Sequence, residues 1–129
     1  MKVLVLSNNR LQEKEIDGSL EELQEIVGGY IEIPFLSKKF NENGIDVIIN
    51  EEGKYIQGLK PEIAVVDGKT KKILDVVFGN CIFASHDEYG NTTALSDKQV
   101  KLVMQELQME TTLTYQDVGK EFNAKVLFV

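Results

Sequence analysis

The chain's one cysteine and one histidine lie in a single polar stretch, CIFASHDEYGNTTALSD, which runs from Cys81 to Asp97. A thiol beside an imidazole can form a nucleophile activated by a base. Cys81 and His86 have opposite parity, however, so in an extended run their side chains point to opposite faces. We therefore interpret Cys81 as a core thiol and His86 as a solvated imidazole, and we predict no catalytic residues.

The same stretch contains three carboxylates, and Asp87, Glu88 and Asp97 are the candidates for binding a hard cation. Their spacing lacks the regular alternation of oxygen ligands that a calcium loop requires. One cysteine and one histidine do not supply a zinc site either. The pair Gly28–Gly29 closes a helix and enters a strand, whereas a phosphate-binding glycine loop leaves a strand and opens a helix. We expect neither a metal nor a cofactor.

The end of the stretch has the features of a small anion site. Ser96 begins a capping box, and the first amides of a helix have no partners within that helix. Thr92 and Thr93 lie just before it, while Lys98 and Lys101 follow in the first turn and a half. Free amides and lysine side chains at a helix start favour an anionic ligand.

Aromatic and amide side chains nearby extend this prediction to a nucleotide. Phe83 and Tyr89 offer ring faces for a purine, and Asn80 and Asn91 carry the donor and acceptor pair that suits adenine. For each residue there is also a structural interpretation, in which Phe83 is core, Asn91 completes a turn and Ser96 only caps its helix. Both interpretations stay open.

Composition and charge narrow the classes of partner. A hydrophobic fraction of 43% in 129 residues is typical of a globular chain, and we expect one domain over residues 1–129. The formal net charge of −7 disfavours nucleic acid polymers as partners. The one arginine, Arg10, makes bidentate phosphate clamps scarce. The chain shows neither a secretory signal pattern nor an apolar run of membrane-spanning length, so we expect a cytoplasmic protein without a membrane partner.

The first half of the sequence predicts strands around one helix. KVLVLS (Lys2–Ser7) has the composition of a buried strand, and the capping box at Ser19 begins a helix that stops at Gly28. GYIEIPFL alternates like a half-buried strand that ends at Pro34 or lies at an edge. IDVIIN and the run 54–57 flank a turn and predict a hairpin.

The second half predicts a hairpin, a long strand and a second convincing helix. IAVV runs into the turn signal Asp67–Gly68, and residues 73–84 suggest one long strand bent at Gly79–Asn80. After Ser96, the helical spacing of hydrophobic residues places Val100, Val103, Met104 and Leu107 against the core. Residues 115–122 suggest a short helix, and AKVLFV a closing strand. The whole predicts an α+β fold, a mostly antiparallel sheet packed by two or three helices, in which the first and last strands pair.

Three segments resemble a widespread bacterial and phage family of unknown function, up to about Gln105: IDGSLEELQEIVGGYIEI, VIINEEGK and VFGNCIFASHDEYGNTTALSDKQV. With the tail TYQDVGKEFNAKVLFV, the chain is similar to the phage anti-Thoeris (Tad-type) proteins. That family consists of small oligomeric proteins that bind cyclised ADP-ribose signals, made by bacterial TIR enzymes, without degrading them.

The resemblance implies a phage or prophage anti-defence protein, not an enzyme, that acts as a homo-oligomer and sequesters a cyclic ADP-ribose isomer near a subunit interface. The residues that would then contact the ligand are Phe83 by stacking, Asn91 at the base or ribose, Tyr89 and Asn80 as substitutes, and Lys98, Lys101 and Arg10 at phosphate. Two other functions are open: a nucleotide hydrolase that uses loop carboxylates and His86, and a protein-binding inhibitor or accessory module of a mobile element.

Overall fold

A computed structural model describes residues 1–115 and 120–129 of the chain. Over these residues the strands form two sheets, and α-helices and a 3-10 helix pack against them. In chain order the elements are β1 (Lys2–Ser7), β2 (Arg10–Glu15), α1 (Leu20–Val27), β3 (Ile31–Glu32), α2 (Lys38–Glu42), β4 (Asp46–Asn50), the 3-10 helix (Gly53–Tyr55), β5 (Pro61–Val66), β6 (Ile73–Phe78), β7 (Cys81–His86), β8 (Thr92–Thr93), α3 (Asp97–Glu106), β9 (Glu110–Tyr115) and β10 (Lys120–Phe128). The predicted α+β class is confirmed.

The first sheet is antiparallel and has the strand order β2-β1-β7-β4-β3, with β8 paired to the end of β7. Strand β7 lies in its centre, since Phe83 faces Leu4 of β1 on one side and Val47 of β4 on the other. The predicted hairpin between 45–50 and 54–57 is wrong. Asn50 ends β4 instead, because its side chain donates to the Val27 carbonyl and accepts from the Glu52 amide, which directs the chain into the 3-10 helix.

The second sheet is mixed and has the order β6-β5-β10-β9; among its described residues, β5 and β10 pair in parallel and the other two pairs are antiparallel. The hairpin predicted at Asp67–Gly68 is confirmed as β5–β6, with a loop of residues 67–72 closed by the Asp67 amide on the Lys72 carbonyl. The predicted pairing of the first and last strands is wrong, because β1 lies in the first sheet and β10 in the second.

The predicted long strand over residues 73–84 is two strands in different sheets. The chain breaks at Gly79, whose φ of 87° is accessible to glycine at little cost. The Gly79 amide donates to the Lys60 carbonyl, and the Asn80 side chain donates to the Ile26 carbonyl. These two bonds hold the chain as it crosses from β6 to β7, so the glycine marks a crossover between sheets.

Both predicted serine caps are confirmed, but the box predicted at Ser19 is not reciprocal, because the Glu22 carboxylate accepts from the Asp17 amide. Ser19 accepts from the Glu22 amide, and Ser96 and Gln99 complete a reciprocal capping box. The prediction that Met104 faces the core from α3 is wrong, because its side chain is exposed. The helix predicted over 115–122 is also wrong where the structure describes it, since Tyr115 ends β9 and lies opposite Lys120 of β10; residues 116–119 lie outside the described part.

The main hydrophobic core lies between the two sheets and is closed by α2 and α3. Its members include Leu4, Phe40, Ile63, Phe83 and Leu127. A second core lies on the other face of the first sheet, beneath α1. In the described part of the chain, none of the helices is long and apolar enough to span a bilayer. The polar stretch after β7 runs from one end of the first sheet into α3.

Candidate functional site

Phe83 is a core residue. Its side chain is wholly buried between the sheets and meets the Phe40 ring edge to face, with centroids 6.1 Å apart. A buried ring has no free face on which a base can stack. The prediction that Phe83 stacks on a ligand is therefore wrong, and the structural interpretation is the correct one.

The side chain of Asn91 is used within its own turn. Asp87 accepts hydrogen bonds from the Asn91 side chain, the Asn91 amide and the Tyr89 amide, at 2.9–3.0 Å. These hydrogen bonds, led by the one from the Asn91 side chain, lower the pKa of Asp87. Tyr89 projects from this turn and is 81% exposed. Both residues are therefore exposed, but the Asn91 side chain is held by Asp87, whereas the Tyr89 ring projects into solvent.

Asn80 lies at the opposite end of β7 from Asn91. The strand between them has six residues, or about 20 Å. Asn80 lines a separate groove of about 880 Å³ between the β1–β2 pair and α1, whose wall is acidic and includes Glu21, Glu22 and Glu25. The two asparagines therefore cannot bind one base together.

Arg10 is also remote from the lysines of α3. It lies opposite Ser7 at one end of β1, whereas the other end of β1 meets α3: the Lys2 carbonyl accepts from Leu95, and the Lys2 ammonium pairs with Asp97 at 2.8 Å. The predicted phosphate group of Lys98, Lys101 and Arg10 is divided by the length of that strand. Of the three, the structure brings together only the two lysines.

The residues with catalytic potential are held apart. Cys81 is buried at the start of β7, and desolvation raises the pKa of its thiol well above the ordinary value. His86, at the other end of that strand, is half exposed and has its Nδ1 2.9 Å from Asp46 Oδ2. The interpretation of Cys81 as a core thiol and of His86 as a solvated imidazole is confirmed.

Two of the three carboxylates considered for a cation, Asp87 and Asp97, have other partners, and Glu88 is exposed. Asp87 accepts the turn hydrogen bonds, and Asp97 pairs with Lys2, which lowers the pKa of Asp97. Over residues 1–115 and 120–129, no three histidine, cysteine or acidic side chains are grouped as metal ligands. Thr92 pairs with His86 in the β7–β8 ladder, and it does not line the concavity beside α3.

The structure does bring Ser96, Lys98 and Lys101 together, in a concavity that we call the α2–α3 groove. Its volume is about 670 Å³. It is lined by residues from the end of α2 and from the exposed side of α3: Lys39, Asn43, Ser96, Lys98, Gln99, Lys101, Leu102 and Gln105. Three lysines thus surround a groove that begins at a capped helix N-terminus.

Gln99 fixes the shape of this groove. Its side-chain oxygen accepts from the Ser96 amide, while its Nε2 donates to the Asn43 carbonyl at 2.9 Å and lies 3.3 Å from Ser85 Oγ. One side chain therefore caps α3 and holds the end of α2 against it. The relative position of the two groove walls depends on this amide.

The charge of the groove is locally positive. Lys39 forms an ion pair with Glu106 at 2.7 Å, and ion pairs of Lys98 and Lys101 are absent from the described residues. The positive end of the α3 dipole adds to the lysine charges. Sequence reasoning missed Lys39, because the five-residue helix α2 is too short for a periodic signal. The serine cap at Ser37, which accepts from the Phe40 amide, is the signal that could have revealed the helix α2 and, with it, the position of Lys39.

A protein-family model described as Domain of unknown function (DUF3846) matches residues 1–108. No curated protein and no solved structure matches the chain significantly. The family match runs from β1 through α3 and includes every residue of the α2–α3 groove. Since the match covers well over half of the 129 residues, the chain belongs to the DUF3846 family.

Proposed function

We propose that this protein binds a small phosphate-bearing nucleotide in the α2–α3 groove and sequesters it, as a phage or prophage anti-defence protein. The proposed ligand is a cyclised ADP-ribose signal made by TIR enzymes. The observation that carries the proposal is the pair Lys98 and Lys101 beside the α3 N-terminus, with Lys39 in the same groove, where it pairs with Glu106 at the other end of α3. In a chain of net charge −7, such a cluster concentrates positive potential at one place.

The size and lining of the groove support a nucleotide-sized ligand. Its volume of about 670 Å³ lies within the range of small-molecule sites. The lysines provide charge for two phosphates, and the Gln105 amide can donate to and accept from a ribose or a base. Leu102, half-buried in the groove, offers an apolar contact for the base.

The chemistry of the groove supports binding without turnover. Its polar side chains are lysines, amides and a serine, and Ser96 Oγ already accepts the Gln99 amide. Cys81 is buried elsewhere, and His86 does not line the groove. Sequestration requires affinity and stoichiometry, which such a lining supplies without a nucleophile or a base.

Calorimetry with the cyclic ADP-ribose isomers tests the proposal. We expect wild-type binding of at least one isomer, and a loss of at least tenfold in affinity for Lys98→Glu/Lys101→Glu. The matched control is Lys69→Glu/Lys72→Glu, which makes the same charge change on the β5–β6 loop and should leave the affinity within about twofold. Circular dichroism checks that both variants are folded.

The fate of the ligand separates sequestration from hydrolysis. Heating the complex should release an intact ligand, identified by its mass. A cleaved product that disappears in His86→Ala would establish the hydrolase instead. The proposal would be refuted if the wild type bound none of the isomers, or if the two double-lysine variants lost affinity equally.

A further inference from the structure

The two sheets are joined by a buried carboxylate that lacks a cationic partner. Glu62 of β5 is only 3% exposed, and its oxygens accept the backbone amides of Asn8 and Asn9 in the turn between β1 and β2. Among the described residues, no cation forms an ion pair with it. A carboxylate can accept about four hydrogen bonds, and a buried one is costly without a charged donor. Glu62 therefore has room for such a donor.

A second acceptor beside Glu62 also lacks a donor. In the part of the chain that the structure describes, Asn9 Oδ1 is a buried oxygen without a hydrogen bond, a condition that native structures rarely keep. Lys125 first, and then the Asn9 side chain, lower the pKa of Glu110, which indicates that the Asn9 NH2 group faces Glu110 and the oxygen faces away. Asn9 is only partly buried as a residue, so a small rotation of its amide can meet a donor.

Both acceptors line a depression of about 440 Å³ beside the β1–β2 turn, a volume within the range of small-molecule sites. Glu121 adds an exposed carboxylate to this lining, and the Phe122 ring adds an aromatic surface, which attracts cations. The full lining consists of Asn8, Asn9, Lys60, Pro61, Glu62, Glu121, Phe122 and Asn123. Oxygen acceptors thus predominate, with one lysine among them.

This lining favours an organic cation over a metal ion. Within residues 1–115 and 120–129, no three histidine, cysteine or acidic side chains are grouped as metal ligands. A protonated amine carries three donors and needs no fixed ring of ligands. Because Ile63 lies opposite Lys125, Glu62 comes level with Ala124, three residues or about 10 Å along the strand from Glu121. A flexible molecule with an amine at each end suits two carboxylates placed in this way.

We propose that the depression beside the β1–β2 turn binds a diamine or polyamine, with one ammonium group at Glu62 and Asn9 and another at Glu121. Lys60, whose ammonium lies 3.4 Å from Asn8 Oδ1, opposes the ligand with its charge. The site is distinct from the α2–α3 groove, because the β1–β2 turn and α3 lie at opposite ends of β1. The proposal is therefore independent of the nucleotide.

Calorimetry of the full chain with putrescine and spermidine at low ionic strength tests the site. We expect the wild type to bind one spermidine, and Glu121→Gln to lose at least fivefold in affinity. Glu25→Gln is the matched control, because it removes an exposed carboxylate from the acidic groove beside α1 and should stay within about twofold of the wild type. A wild type that binds neither amine, or an equal loss in both variants, overturns the proposal.

Two further variants test the deep end of the depression and the opposing lysine. Glu62→Gln should lower the affinity for spermidine at least tenfold, with folding checked by circular dichroism. Lys60→Gln should raise the affinity severalfold, because it removes a like charge, and the exposed position of Lys60 should leave folding intact. Lys69→Gln, on the exposed β5–β6 loop, is the control for the change in net charge and should stay within about twofold. Wild-type affinity in Lys60→Gln, or in a folded Glu62→Gln, overturns the proposal.

Discussion

Glu62 accepts a hydrogen bond from the Asn9 amide, at 2.8 Å through its Oε1. Its other oxygen accepts from the Asn8 amide at 3.0 Å. Both asparagines have positive φ, 51° and 63°, and they form the tight turn between β1 and β2. Glu62 lies on β5, so a carboxylate of the second sheet holds the hairpin of the first. Burial of Glu62 raises the pKa of its carboxyl group against the opposing effect of the two amides.

Replacing Glu62 by alanine should lower the free energy of unfolding by about 2 kcal/mol, because two backbone amides lose their acceptor. Urea denaturation at neutral pH measures the loss. Glu121→Ala is the control, since Glu121 is exposed and lines, together with Glu62, the depression beside the β1–β2 turn. A Glu62→Ala variant as stable as this control would contradict the structural role of the carboxylate.

The stability should also depend on pH through Glu62. Its pKa is raised on folding from 4.5, so the folded state binds the proton more tightly than the unfolded state does. The stability contributed by protonation is complete below pH 4.5 and is lost as the pH rises through the folded pKa. The difference in unfolding free energy between wild type and Glu62→Gln should therefore fall over that window. A difference that is constant with pH would contradict the raised pKa.

The elements that the sequence predicted correctly are those whose signals are local. Ser19 and Ser96 cap helices through amides three residues away, and the apolar composition of β1 and of the closing strand reflects their burial within the sheets. Strand partners were predicted less well, because pairing depends on distant contacts. The glycine at position 79 marked an irregularity correctly, but only the bonds to Lys60 and Ile26 determine that the chain changes sheets there.

The candidate site was predicted in part for the same reason. Proximity in sequence placed Asn80, Phe83 and Lys98 in one site, yet the length and the pleat of β7 separate them and bury the phenylalanine. Lys39 could not be joined to the lysines of α3 from the sequence. It lies beside α3 because of long-range contacts, among them the Gln99 bond to the Asn43 carbonyl across 56 residues and the Lys39–Glu106 ion pair.

Phe83→Ala should unfold the protein or come close to doing so. Removing a wholly buried ring that packs on Phe40 costs about 3–5 kcal/mol, a large share of the stability of a small domain. Thermal denaturation followed by circular dichroism measures the effect. Tyr89→Ala is the matched control, because this exposed ring should change the unfolding free energy by less than about 0.5 kcal/mol. Equal melting temperatures for the two variants would contradict the assignment of Phe83 to the core.

The Cys81 thiol should react with a thiol reagent only when the protein opens. Its sulfur is fully buried and donates to the Gly79 carbonyl at 3.4 Å, and burial raises its pKa, so little thiolate exists near neutral pH. The labelling rate in native buffer should be at least a hundredfold lower than in concentrated urea. A Tyr89→Cys variant provides an exposed thiol as the control and should label rapidly in both conditions. Rapid native labelling of Cys81 would contradict its burial.

Gln99→Glu should loosen α2 while leaving the cap of α3 in place. The new carboxylate still accepts from the Ser96 amide, but it cannot donate to the Asn43 carbonyl, and the two oxygens repel each other. We expect a loss of about 1–2 kcal/mol in the free energy of unfolding. Relative to wild type, the hydrogen-exchange rate should increase more in residues 38–42 than in α3. Gln105→Glu is the control, because it adds the same charge to the same groove without breaking a bond that positions α2. If nucleotide affinity falls further in Gln99→Glu than in the control, the groove requires the alignment of its two helices; equal affinities would show that charge alone determines binding.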